Sequence, residues 1–290
     1  MGVNAGGNLG DGTFNNTNRP EKIVASGVIA IAAGSCSLFL KSDGSLWAMG
    51  DNSNGELGDG TFNSTNRPEQ IVASGVTAIA AGGGHNLFLK SDGSLWGMGL
   101  CYDGQLGDGT SESGTIYYTN RPEQIVASGV IAIAAGSGHS LFLKSDGSLW
   151  GMGYNRDGEL GDGTFNDTNR PEQIVASGVT AIAAGDEHSL FLKSDGNLWG
   201  MGDNEDGQLG DGTYTTVNRP ELILGPPPPL GIGTYSNAPV VFFPTILGTK
   251  HTLQMTTNLA SGNWVTVTNG IPFSGVQITN APGTAFFRLQ

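Results

Sequence analysis

The stretch HSLFLKSDGSLWGMG, from His139 to Gly153, decides the fold of this protein. Two apolar-rich runs flank Asp146-Gly147, a dipeptide that accepts the positive φ angles of a tight turn between antiparallel strands. The stretch therefore predicts a β-hairpin. Nearly the same letters occur three more times, beginning at Cys36, His85 and His188. The hairpin is thus one part of a repeat.

The repeat is longer than the hairpin. Its tryptophans are 49, 54 and 49 residues apart, at Trp47, Trp96, Trp150 and Trp199. A period in this range with several short strands predicts a propeller or a related closed array. Two further motifs recur five times each, LGDGT beginning at Leu9, Leu57, Leu106, Leu160 and Leu209, and NRPE beginning at Asn18, Asn66, Asn120, Asn169 and Asn218.

Each unit is predicted to contain four strands. In the second unit we place them around Gln70–Val72, Thr77–Ala81, Asn86–Lys90 and Leu95–Met98, with a Gly-rich loop after the last. Each hairpin would form the inner part of its sheet, with its Trp packed between neighbouring sheets. The long middle spacing comes from an insertion at Ser111–Thr119, which we expect between strands because loops tolerate insertions best.

The motif order IAAG-x-x-H-x-LFL…DG-x-LW-x-MG-x-N-x-x-G-x-LG-x-G-T resembles the repeat of the regulator-of-chromosome-condensation (RCC) family. The resemblance covers residues 1–224 and implies an all-β fold, a β-propeller of four-stranded blades, usually seven. Four hairpins and five LGDGT loops predict about four to five blades here, in an incomplete or open array. Met1-Gly2 stands where the Met-Gly of LWGMG stands in later repeats, which predicts a truncated or processed start.

The composition changes after residue 224. Residues 225–233 are rich in Pro and Gly and are predicted to form a semi-rigid linker. Residues 234–290 contain short Thr-, Val- and Phe-rich runs, which predict a small β-sandwich-like module. Its NWVTVTNG and AFFRLQ segments resemble C-terminal modules of large secreted bacterial proteins, which implies a bacterial source and an extracellular or cell-surface location.

Composition narrows the function classes. The formal net charge of −13 and pI near 4.5 argue against nucleic acid as a partner, because phosphate binding needs clustered Lys and Arg. No apolar run approaches the roughly 20 residues of a membrane span. Cys36 and Cys101 occupy non-equivalent repeat positions, and we expect no disulfide between them.

Three histidines share one repeat position, His85, His139 and His188. Converging imidazoles can bind a metal ion, but equivalent positions on successive blades usually lie too far apart. The family resemblance implies that this Gly-x-His element is structural and bonds strand to strand. The four tryptophans could form a sugar-binding stripe, yet their place in apolar strands favours burial. We therefore assign both sets structural roles.

The loops offer weak candidates for Ca²⁺, which is the one cofactor considered. Carboxylate and carbonyl oxygens suit this ion, and the best candidates are Asp203, Asp206 and Asp211 in DNEDGQLGDG. None of the loops fits the EF-hand pattern. The alternative is that these Asp and Asn side chains satisfy backbone amides of tight turns.

No catalytic motif is present among the common hydrolase, phosphate-loop and zinc-protease signatures. Repeats this similar present the same groups at every period, whereas a catalytic site needs several different groups at one place. We therefore predict a protein without enzymatic activity.

Three functions remain. The first is an extracellular scaffold that self-associates as a homo-oligomer or filament, through its repeats and terminal strands. The second is a soluble, inhibitor-like propeller that binds another protein through its loop face. The third, guanine-nucleotide exchange, suits an acidic chain without a basic tail poorly. The candidate residues for a contact through the loop face are those that differ from the repeated Gly, Asn, Asp and Thr of the loops, namely Tyr102, Tyr117, Tyr118, Tyr154 and Arg156.

Overall fold

The computed structural model describes residues 1–110 and 117–224 in full and, beyond them, the backbone of six strands. The described part is all-β, and it contains four antiparallel sheets of four strands each, taken in chain order. The first sheet comprises β1 (Val28–Ala33), β2 (Cys36–Lys41), β3 (Leu46–Gly50) and β4 (Thr65–Val72). The second comprises β5 (Val76–Ala81), β6 (His85–Lys90), β7 (Leu95–Leu100) and β8 (Tyr118–Val126). The third comprises β9 (Val130–Ala135), β10 (His139–Lys144), β11 (Leu149–Gly153) and β12 (Thr168–Val175), and the fourth β13 (Val179–Ala184), β14 (His188–Lys193), β15 (Leu198–Gly202) and β16 (Val217–Leu224).

The quoted stretch forms the predicted hairpin. β10 pairs with β11 in a register that sets Phe142 opposite Trp150. Gly147 closes the turn with φ of 79°, and its N–H donates to the Lys144 carbonyl at 2.9 Å. A Cβ on this glycine would lie 2.8 Å from the Gly178 nitrogen. The turn therefore requires glycine both for its backbone angle and for its contact with the start of the next sheet.

The predicted grouping of strands was wrong at one point. Gln70–Val72 is not the first strand of the second unit, because it is the end of β4, which pairs with β3 in the first sheet. In every sheet the Gly-rich loop connects the third strand to the fourth. Each sheet therefore ends, and does not begin, with the NRPE segment.

Successive sheets pack against one another as propeller blades. The first strand of each sheet contacts the first strand of the next, so the sheets converge along β1, β5, β9 and β13. Apolar side chains from neighbouring sheets form shared cores, such as Leu38 and Leu40 with Val76 and Phe88. The hairpins are the middle two strands and not the inner part that we predicted. Trp96, Trp150 and Trp199 do pack against cores shared with the preceding blade.

The chain divides into two compact units, Met1–Ile223 and Leu224–Gln290. In the second unit the described backbone forms two three-stranded sheets. Residues 225–230 of the predicted linker and 111–116 of the predicted insertion lie outside the described residues, whereas residue 231 already begins a strand. None of the described segments is a helix that could span a membrane. The strands are β17 (Gly231–Tyr235), β18 (Ala238–Phe242), β19 (His251–Thr256), β20 (Val265–Ile271), β21 (Gly275–Gln277) and β22 (Phe286–Leu289).

Candidate functional site: the blade interfaces and the two ends

A histidine–serine pair joins successive blades. His85 Nε2 lies 2.8 Å from Ser140 Oγ, and His139 Nε2 lies 2.9 Å from Ser189 Oγ. Ser140 donates its only hydroxyl proton to the Gln105 carbonyl at 2.7 Å, so it must accept from the histidine. His85 therefore carries its proton on Nε2.

Burial keeps these histidines neutral. Desolvation lowers the pKa of His85 to about 4 and, together with the neighbouring histidines, that of His139 to about 3. Each Nδ1 is buried without a partner, which suits an unprotonated nitrogen better than an N–H. The rings of His85 and His139 each bond a serine of the next blade and therefore join successive blades.

The first blade uses a different pair at the same place. Cys36 replaces the histidine, and Asn86 replaces the serine of the next blade. Asn86 Nδ2 donates to Cys36 Sγ at 3.0 Å and to the Glu56 carbonyl at 2.7 Å. The longer amide thus spans the gap that the shorter thiol leaves. Burial raises the pKa of Cys36 to about 12, and no disulfide joins it to Cys101.

The tryptophans serve the hairpins of their own blades. Trp150 stacks on Phe142 with ring centroids 6.1 Å apart, and Lys144 Nζ lies 4.2 Å from its ring. Its Nε1 donates to Ser148 Oγ at 2.8 Å. The same stacking occurs at Trp47, Trp96 and Trp199. One ring face of each described tryptophan is thus covered within its own hairpin, and the structural role of these residues stays a prediction.

An asparagine closes each described Gly-rich loop except that of the second blade, where Cys101 takes its place, and the loops of the first three blades are attached to the next blade. Asn52 Oδ1 accepts from the Leu57 N–H at 2.9 Å, and Asn52 Nδ2 donates to Asp59 at 3.2 Å. Gly60 N–H then donates to the Asn120 carbonyl of the second blade at 2.8 Å. The loops therefore contribute to the cohesion of the array.

The Ca²⁺ candidates in the fourth loop take part in the same kind of turn. Asp211 accepts from Thr213 and Asn204, and Asp203 accepts from Glu205, Thr216 and Gln208. No side-chain hydrogen bond is seen for Asp206 within the described loop. The described residues include no group of three or more His, Cys, Asp or Glu side chains placed to hold a metal ion. Ca²⁺ binding stays a prediction.

One face of the first blade is uncovered. Val28 is 39% exposed, whereas its counterparts Val76, Val130 and Val179 are each 4% exposed. Ile31 is 80% exposed. A cavity of about 410 Å³ lies on this face, between Ile31, Phe39, Met49 and the preceding segment Ile23–Val24. We call this surface the blade-1 face.

The opposite end of the array is also open. Leu192 is 41% exposed, whereas Leu40, Leu89 and Leu143 are at most 3% exposed. In the fourth blade His188 has no following serine to bond among the described residues. A Cβ on Gly210 would meet no atom within 4 Å, while one on Gly161 would contact Met201 of the next blade. We call this surface the blade-4 face.

The candidate interaction residues fall into two groups. Tyr154 and Arg156 lie together, with the guanidinium 5.5 Å from the ring centroid and paired to Asp167 at 3.3 Å. Tyr118 packs edge-on against Phe62, Tyr102 is exposed, and Tyr117 is half-buried against the second core.

Sequence reasoning missed two kinds of feature. The first is the set of residues exposed at the two ends of the predicted open array, because these residues have the same letters as their buried counterparts. The second is a row of buried polar side chains beneath the loops at Glu56, Gln105 and Glu159. Desolvation raises the pKa of Glu159 to about 8. Their repetition at the position before each LGDGT was the available signal.

Comparison with known proteins agrees with this architecture. A family profile described as the RCC1-like domain matches residues 1–266. Human WBSCR16 shares 25% identity at a TM-score of 0.66, over 79% of this chain and 63% of that one. Yeast RCC1 (Prp20), in a structure with Kap60 bound, shares 25% identity at a TM-score of 0.61, over 68% of this chain and 49% of that one.

A second structure of Prp20p, from Saccharomyces cerevisiae, shares 24% identity at a TM-score of 0.61, over 72% of this chain and 52% of that one. This chain thus spans between about half and two thirds of the length of these relatives. No curated protein sequence matches it. The repeats, the four-stranded blades and the profile match agree, and the chain belongs to the family of RCC1-like domains.

Proposed function

We propose that this protein is a non-enzymatic scaffold that self-associates through the open ends of its blade array. The observation that carries the proposal is the blade-1 face. Val28 and Ile31 are exposed there, whereas their counterparts in the other blades are buried or half-buried, and they border a cavity of about 410 Å³. Exposed apolar patches rimmed by polar residues typically mark protein–protein contacts.

The segment before β1 limits what can cover this face. Residues 3–13 form the Gly-rich loop that packs against the first blade. Gly10 contacts Met49, and Gly12 N–H donates to the Asn66 carbonyl. The surface left open is therefore that of the first three strands of a preceding blade. Thr- and Val-rich strands such as β20, from the terminal unit of a second copy, could supply it by strand addition. The two ends differ, so a contact of one with the other is heterologous and would extend into a filament if its rotation does not close.

The family supports a role in binding proteins. Structures of relatives are described as Kap60 bound to yeast RCC1 (Prp20), and as Prp20p with binding properties to Gsp1p and histones. We carry over to this chain only that its propeller binds protein surfaces. An extracellular or cell-surface location, implied by the resemblance of the terminal segment, is part of the same proposal.

Light scattering on the purified 290-residue chain tests self-association. We expect a particle mass that rises with concentration above the 29.9 kDa of one chain. Ile31→Asp places a charge on the blade-1 face and should return the particle to that mass. Ile131→Asp is the matched control, because Ile131 is also exposed but lies on β9 of an inner blade.

A folded wild-type chain that stays at one-chain mass at every concentration would overturn the proposal. Equal association by Ile31→Asp and wild type would also overturn it, because the contact would then not involve the blade-1 face.

A further inference from the structure

A second cavity, of about 310 Å³, lies between the second, third and fourth blades. It is bordered by the turns that connect the first and second strands of these blades and by the loops that follow β7 and β11. Its lining includes Gly84, Asp103, Gln105, Tyr154, Asp186 and Glu187. The cavity is separate from the blade-1 face.

Three carboxylates line this cavity, from Asp103, Asp186 and Glu187. None of them forms an ion pair within the part of the chain that the structure describes. Arg156 is paired with Asp167, and its charge also acts on Asp103. Desolvation and the charge of Asp167 raise the pKa of Asp103, against an opposing contribution from Arg156. Desolvation, followed by the charge of Asp157 and of other neighbouring carboxylates, raises that of Glu187. Among the described residues, Arg156 therefore compensates the charge of Asp103 only in part, and Asp186 and Glu187 have no ion-pair partner.

Gln105 adds an independent requirement. Its side chain is fully buried, and Oε1 accepts from the Asp103 N–H at 2.9 Å, which fixes Nε2 as the donor end. Nε2 has no acceptor among the described residues. In the fourth blade the equivalent Gln208 Nε2 donates to Asp203 at 2.6 Å, but the residue in the place of Asp203 is Leu100. A buried N–H without an acceptor is costly.

We propose that this cavity binds an arginine-bearing segment of a partner protein. The guanidinium meets the carboxylates of Asp186, Glu187 and Asp103, and a backbone carbonyl of the same segment accepts from Gln105 Nε2. A planar guanidinium has several donors and pairs well with grouped carboxylates, and the Tyr154 ring forms one wall. A ligand must bring both a cation and an acceptor, which a peptide does and a bare cation does not.

Binding of a fluorescent Gly-Arg-Gly tripeptide with blocked ends, followed by anisotropy on the full chain, tests this site. The Asp186→Asn and Glu187→Gln variants should each weaken binding about tenfold, as expected for loss of a charge-assisted hydrogen bond. Glu172→Gln is the control, because Glu172 is an exposed carboxylate on β12, outside the cavity. It should bind as wild type does.

Competition separates the two contacts. Unlabelled Gly-Arg-Gly should displace the probe, and Gly-Leu-Gly should not. The folding of Gln105→Met is checked by its thermal transition. In this variant the affinity for the tripeptide should fall, whereas ethylguanidinium, which has no carbonyl, should displace the probe as it does in wild type. The site is disproved if wild type shows no saturable binding, if Gly-Leu-Gly competes equally, or if the carboxylate variants bind with wild-type affinity. Since self-association depends on other residues, its failure leaves this test intact.

Discussion

Blades 2 and 3 have a neighbour on each side, whereas blades 1 and 4 each have one uncovered face, although all four have nearly the same sequence. Leu143 of the third blade is buried, and its counterpart Leu192 in the fourth is 41% exposed. The same comparison holds for Val130 and Val28. Burial in this array is therefore a property of the interface between blades, as expected for repeats that stabilise one another through nearest neighbours.

The largest expected difference between the two kinds of blade is in core packing. Leu143→Ala should lower the free energy of unfolding by about 2–5 kcal/mol, because it leaves a cavity in a closed interface. Leu192→Ala should cost less than about 1 kcal/mol, because the side chain is already partly in water. Urea denaturation of both variants provides the measurement. Equal losses would mean that the blade-4 face is covered in solution.

The next effect is a dependence on pH that comes from the inner interfaces. The folded pKa values of His85 and His139, about 4 and about 3, lie below the ordinary value of 6.5. Stability is fully present above pH 6.5 and is lost as the pH falls toward the folded values, because only the unfolded chain gains the protons.

Between pH 7 and pH 5 the loss should be about 2 kcal/mol for each of the two histidines. Urea midpoints at both pH values provide the measurement. His139→Asn should remove about half of the loss that these two residues cause, and an unchanged pH dependence in this variant would contradict the role of burial.

The smallest effect concerns single hydrogen bonds across the interfaces. Ser140→Ala removes the acceptor of the buried His85 N–H and should cost about 1–3 kcal/mol. Ser37→Ala, at the equivalent position of the first blade, removes only a bond to the Asn8 carbonyl and should cost less, because no histidine of a preceding blade faces it among the described residues. Thermal unfolding of the two variants gives the comparison. An equal loss in both would show that the histidine contact adds nothing.

Much of the architecture follows from local sequence. Asp146-Gly147 and the apolar runs on either side determine the hairpin, because turn geometry and side-chain alternation act over a few residues. The four tryptophans at one repeat position, one in each hairpin, indicate four hairpins. The structural roles that we assigned to His85 and Trp150 stay predictions, and the serine of the next blade that His85 contacts could not be identified from one sequence.

The sheet to which each fourth strand belongs could not be predicted from nearby residues. Gln70–Val72 is separated from β5 by only three residues, whereas the rest of its own sheet lies across a long loop. Nearness in sequence therefore assigned it to the wrong sheet. It pairs with β3 across a loop that Asn52 closes by a local bond and that a hydrogen bond from Gly60 to the distant Asn120 attaches to the next blade.

The sequence by itself determined the hairpins, their turns, their repetition and the acidic, low-charge composition, because these depend on residue type and spacing alone. Only the tertiary structure decided which strand completes each sheet, which serine or asparagine bonds each histidine or cysteine, and which copies of the repeat remain exposed. The physical reason is that identical side chains bury different surface areas when the blades next to them differ. Ile31 and Ile79 are the same residue at the same repeat position, and only the second has a blade in front of it.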